Sequence, residues 1–122
     1  MPYYLNFEVP GLPKTANKQL RSHWRDAHAE SLVWHKEVWF ATRGKLPQKP
    51  LKKAKLILTR VSARSPDSDG LVSSFKYVID GLVKAGVLVD DGYSIIGMQE
   101  YRWEACERNK GKIRVIVISD EN

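Results

Sequence analysis

A chain of 122 residues, 43% hydrophobic and 28% charged, is long enough for one domain with a real core and too short for two. Its formal net charge is +6 and no apolar run reaches bilayer length; the lone cysteine, Cys106, excludes an internal disulfide and, without histidine or acidic help, a zinc site. The opening MPYYLNFEVP lacks the basic-then-apolar pattern of a signal peptide, so a reducing cytoplasm is the expected location, with no membrane partner.

Tyr3, Leu5, Phe7 and Val9 alternate with Tyr4, Asn6 and Glu8, which predicts a strand. VPGLPKTANK reads as a loop. A helix is expected from about Ser22 to Thr42, where Trp24, His28, Leu32, His35 and Trp39 recur at spacings of three and four and define one face. RGKLPQKP ends it. Residues 53–62, KAKLILTRVS, predict a second strand. Leu71, Phe75, Val78 and Leu82, flanked by Val72, Ile79 and Val83, predict a second helix that Gly86 stops as a C-terminal cap. VLV is a short extended run. Residues 95–104 and 112–119 are two longer strands, expected to pair as a hairpin across CERNKGK. The order β-α-β-α-β-β predicts a single α+β domain over residues 1–122. Its mixed sheet has about four to five strands, with two main helices packed against it.

Charge is unevenly distributed. From Ala41 to Arg64 the chain carries Arg43, Lys45, Lys49, Lys52, Lys53, Lys55, Arg60 and Arg64 and no acid, which reads as a surface for a polyanion or as a solvated loop and strand face. From Asp67 to Asp91 the sign reverses, with five aspartates against Lys76 and Lys84. Basic flanks can hold phosphates, while clustered carboxylates can hold a divalent cation that offsets their repulsion of a phosphodiester.

In an extended segment residues i and i+2 point to the same side, so Asp67 and Asp69 would present their carboxylates together to a hard cation such as Mg²⁺. Asp90 and Asp91 follow a chain reversal at KAGV and can return to the first pair. The same residues also make good turns. PDSDG and DDG have turn chemistry, and Asp69 suits a helix N-cap, so a metal site and a pair of turns both fit the spacing. Lys76, Asp80 and Lys84, four apart, share a helical face as a salt-bridge ladder. On an unbroken helix Lys76 would stand about 10 Å along the axis from Asp69. His23, His28 and His35 include no pair at the i, i+4 spacing of a helical zinc site.

These residues resemble the RusA family of Holliday junction resolvases. The family pattern D-x-D-N-L, a helical lysine, D-G-L, A-G and D-D is matched by Asp67, Asp69, Gly70 and Leu71, then Lys76, then Asp80, Gly81 and Leu82, then Ala85 and Gly86, then Asp90 and Asp91. VPGLPKTANK, with Asn17, is similar to the family's proline-rich loop, and His23–Trp24 fits many phage members. Gly70 stands where the family usually has asparagine, an amide that could support the metal ligands. Some members carry the lysine where this chain has Ser73; counting back from Asp91 favours Lys76.

The resemblance implies a homodimeric endonuclease that cuts four-way DNA junctions by paired nicks. It needs Mg²⁺, replaceable by Mn²⁺. The family's metal-binding and catalytic aspartates carry over to Asp67, Asp69 and Asp91, with Asp90 as an additional candidate, and its active-site lysine to Lys76. Lys14, Asn17, Lys18, Arg21, Lys52, Lys53 and Arg64 are the expected DNA contacts, and the basic blocks at 43–64 and Arg102–Arg114 would form one continuous DNA surface. Nothing resembles a base-reading helix, so shape and phosphates would be recognised. The rival reading is a non-catalytic DNA- or RNA-binding protein that keeps the fold.

Overall fold

The computed structural model describes residues 2–13, 24–92 and 94–120. In chain order the elements are β1 (Tyr3–Pro10), α1 (Trp24–Thr42), β2 (Ala54–Ser62), α2 (Ser68–Ser73), α3 (Lys76–Ala85), β3 (Ile96–Ala105) and β4 (Lys112–Ser119). The strands form one four-stranded mixed sheet in the order β1-β4-β2-β3. This is the α+β arrangement of sheet and helices that the element order predicts.

Strict alternation fixes the register. Tyr3, Leu5, Phe7 and Val9 of β1 lie opposite Ser119, Val117, Val115 and Ile113 of β4, and all eight are buried. β4 is also antiparallel to β2, which brings Leu56 beside Val117 and Leu58 beside Val115. Phe75, Val78 and Leu82 complete the core and are all fully buried. Side chains of one parity therefore meet the helices, while the other parity faces away.

The expected β3–β4 hairpin does not form. β2 lies between them, antiparallel to β4 and parallel to β3, from Ala54↔Ile96 to Ser62↔Ala105. The cause is visible in side-chain burial. β4 buries every second residue and is stabilised by two neighbours, whereas Glu100, Arg102 and Glu104 suit β3 to an edge.

The helical face of α1 also differs from expectation. Trp34, Val38 and Thr42 turn inward, while His28, Leu32 and Trp39 are exposed and His35 is half-buried. The stripe through Leu32 and Trp39 is real as a spacing but lies on the outer side. α1 packs instead against α3, and the approach is close: a Cβ on Gly81 would stand 3.0 Å from Val38 Cβ. No helix among the described residues is long and apolar enough to cross a membrane.

The predicted second helix is two helices. The hydroxyl of Ser73 donates to the Gly70 carbonyl and that of Ser74 to the Leu71 carbonyl, at 3.2 and 2.8 Å, and such back-bonding competes with the helical ladder. The Phe75 N–H then bonds three residues back to Val72, and Phe75 itself leaves the helical region at φ −96°, ψ 1°. α3 restarts at Lys76 and ends as expected at Gly86, whose φ of 93° needs a residue tolerant of the left-handed region.

Candidate functional site

Asp67 and Asp69 are not neighbours on an extended strand. Asp67 is the N-cap of α2, and its Oδ1 accepts from the Gly70 N–H at 2.6 Å. Asp69 already sits in the first turn of α2. The expectation that Asp69 is the cap is thus off by two residues, because the i, i+3 bond that a cap makes is closed by Asp67. Asp67 stands outside α2 as its cap and Asp69 inside its first turn, so the same-side rule of an extended strand does not apply to the pair.

The break before Lys76 changes the geometry expected of that lysine. It is the first residue of a new helix, not a position two turns along the helix that carries Asp69, so the rise of a continuous helix does not separate them. Lys76 is exposed. It also sits at the helical end that carries partial positive charge, which disfavours a cation there. The expected ladder is not present: among the described residues no ion pair joins Lys76, Asp80 and Lys84. Asp80 and Lys84 act on His35 instead. Burial pushes the His35 pKa down, Lys84 adds to that and Asp80 opposes it.

At the far end of the segment the chain reverses at Gly86, and Leu88 bridges in parallel to Leu51. The Leu51 N–H donates to the Val87 carbonyl at 2.8 Å and the Val89 N–H to the Leu51 carbonyl at 3.0 Å. This clamp sets where Asp90 and Asp91 emerge. Asp90 Oδ1 accepts from the Asp91 N–H at 2.8 Å, and the Gly92 carbonyl accepts from Ile95 and Ile96, turning the chain into β3. Asp91 then lines a cavity of about 540 Å³ with Gly92, Ile96, Gly97, Gln99 and Tyr101.

Both halves of the acidic segment meet β3. α2 packs against it, the Phe75 ring lies 6.0 Å from that of Tyr101, and Asp91 shares the cavity with Gln99 and Tyr101. The Tyr101 hydroxyl donates to Gln99 Oε1 at 2.5 Å, and burial raises the Tyr101 pKa. Sequence reasoning missed Gln99 and Tyr101. They read as ordinary strand residues, and the turn through Gly92 into β3 places them in one cavity with Asp91.

Asp67, Asp69, Asp90 and Asp91 are all exposed. Carboxylate oxygens suit Mg²⁺ in type, and Asp67 keeps its second oxygen outside the cap bond. They do not form a ready-made triad: among the described residues no three His, Cys, Asp or Glu side chains stand together where they could hold a metal.

The basic surface is narrower than the charge pattern suggests. Lys52, Lys53 and Arg64 are exposed, as expected of phosphate contacts. Arg60 is not, because its parity on β2 turns it toward the helices. It is 8% exposed, its Nη1 donates to the Pro13 carbonyl at 2.7 Å, and burial lowers its pKa. Arg43 lies 4.0 Å from the centre of the Trp39 ring and donates to the Trp39 and Ala85 carbonyls. In the second block Arg102 pairs with Glu100, Lys110 with Glu107, Lys112 with Glu8, and Arg114 with Glu8 and Glu104. The two blocks therefore do not merge into one unpaired cationic surface. Lys14, Asn17, Lys18 and Arg21 lie outside the described residues. A second cavity, of about 470 Å³, opens between Lys53, Lys55, Ser94, Ile95, Ile118 and Asp120, a grouping with no signal in the sequence.

Compared with protein-family models and with curated proteins, the chain matches none.

Proposed function

We propose that this chain is a Mg²⁺-dependent, structure-selective endodeoxyribonuclease of the RusA type, which resolves four-way DNA junctions by paired nicks as a cytoplasmic homodimer. The observation that carries the reading is the folding of the one acidic segment of a basic chain: α2, with Asp67 and Asp69 at its start, and the turn bearing Asp91 both abut β3. Asp67, Asp69 and Asp91 are the metal-holding carboxylates in this reading, and all three are exposed to solvent. The bound ion would supply an activated water and neutralise charge on the phosphate. Lys76, exposed at the start of α3, would meet the scissile phosphate with its ammonium and offset its charge. Lys52, Lys53 and Arg64 contact phosphates along the arms. A junction has two-fold symmetry and needs two cuts, which suits a dimer with two sites.

One observation favours a second reading, a non-catalytic nucleic-acid-binding protein: no three metal-ligating side chains stand together among the described residues. A labelled four-way junction incubated with the wild type and with Asp69→Asn, with and without Mg²⁺, separates the two. Paired nicks that require Mg²⁺ and disappear in the variant while junction binding is kept or tightened support the nuclease. Binding without nicks in the wild type supports the second reading, and undiminished cutting by Asp69→Asn removes Asp69 from the metal site.

A further inference from the structure

β3 is an edge strand, and its outer edge is not paired by any described segment. Natural edges are usually guarded by proline, by bulges or by charges. β3 has no proline, and its one irregularity, the extra residue Gly97 opposite Ala54/Lys55, lies at its start. From Met98 to Ala105 its register with β2 is regular, and the charges that keep this edge soluble alternate in sign through Glu100, Arg102 and Glu104, so they can complement a second copy of the same strand. The opposite edge, β1, ends in Pro10 and carries one charge, Glu8, bridged to Lys112 and Arg114, whereas β3 carries the exposed pair Glu100–Arg102, whose members can exchange their bond along the strand for one across an interface.

We infer that the outer edge of β3 pairs antiparallel with β3 of a second copy, making one continuous sheet across the dimer. The inference rests on the proposed function only in taking the chain to be a homodimer. Symmetry restricts the register. A two-fold axis normal to the sheet keeps each face of the sheet on the same side, so only residues of equal parity can lie opposite one another. Met98–Glu104 against Glu104–Met98, centred on Tyr101, lays Glu100 against Arg102 of the second copy, and Arg102 against Glu100, on the face away from the helices. Shifting by one step either way sets Glu100 against itself, or Arg102 against itself with Glu100 against Glu104. Like charges directly opposite oppose pairing, and opposite charges favour it. Two steps toward the C-terminus would set Arg102 against Glu104 but pair only Tyr101–Ala105, so charge and paired length together select the register centred on Tyr101.

On the helix face the same register aligns Gln99 with Trp103 of the second copy. Each cavity beside Asp91 then gains a wall from the other subunit, because Gln99 lines that cavity. The two Ile96 positions, next to the Asp91 turns, lie about 33 Å apart along the strand direction on the same side of the sheet. That arrangement offers both sites to one substrate.

Charge reversal and cross-linking test this without DNA or metal. Sedimentation should show Glu100→Arg and Arg102→Glu each weakening the dimer by about tenfold or more, with circular dichroism unchanged, and the double swap restoring it. In a Cys106→Ser background, Tyr101→Cys should form an interchain disulfide on mild oxidation, because this residue faces itself across the axis, whereas Met98→Cys should not. A wild-type monomer at high concentration, or a dimer indifferent to both charge reversals, would overturn the inference. Absence of junction cleavage would bear on the proposed function alone.

Discussion

Asp67 is asked to do two things at once, and substitution can separate them. Its Oδ1 caps the Gly70 N–H at 2.6 Å, and its carboxylate charge is proposed to help hold the cation. Asp67→Ala removes both. Losing an N-cap costs about 1 kcal/mol. For 122 residues the unfolding entropy is about 0.26 kcal/mol per kelvin, so the midpoint should fall by about 4 °C. Asp67→Ser keeps a capping oxygen within reach of the same N–H and removes only the charge, so its melting temperature should stay within about 1 °C of the wild type. Both variants should lose junction cleavage. Differential scanning calorimetry and a single-turnover cleavage assay read the two effects independently. If serine melts as low as alanine, the carboxylate charge and not the capping oxygen alone stabilises α2; if serine cuts at the wild-type rate, Asp67 is no metal ligand.

Lys76→Ala should lower single-turnover cleavage by at least about tenfold, or roughly 1.4 kcal/mol of barrier, with little change in melting, while Lys84→Ala serves as the control; equal rates in both would strike Lys76 from the catalytic residues. Replacing Lys52 and Lys53 with alanine should reduce the slope of log affinity against log salt by up to about 1.8, and an unaltered slope means that neither lysine touches a phosphate. Because burial lowers the His35 pKa, the unfolded chain takes up this proton more readily than the folded one. Stability should therefore fall as pH drops below the ordinary histidine value of 6.5, and His35→Gln should flatten that fall in urea titrations; an identical pH profile would refute the assignment.

Much of the fold was legible because its signals are local. Alternation in β1, β2 and β4 and the glycine stop at Gly86 need only nearest neighbours along the chain. The pairing of β3 was not legible, since adjacency in sequence suggests a hairpin and only competition for two-sided burial puts β2 between the last strands. The break at Ser74–Phe75 was hidden for another reason. The apolar spacing of Leu71, Phe75, Val78 and Leu82 survives a tightened turn, so the periodicity continues while the helix does not. At the site, the acidic segment could be found from charge alone. The separate local settings of Asp67 and Asp69 could not, because they depend on which aspartate caps α2, a choice of two residues in a run of turn formers.

The inward turn of Arg60 separates two quantities that a net charge of +6 joins. Long-range attraction toward a polyanion depends on the whole charge distribution, and a guanidinium under the sheet's helices still contributes to that field. Counterion release depends only on cations that touch phosphates, which Arg60, bonded to the Pro13 carbonyl, does not. Encounter rate and equilibrium salt dependence should therefore report different numbers of positive charges on the same protein.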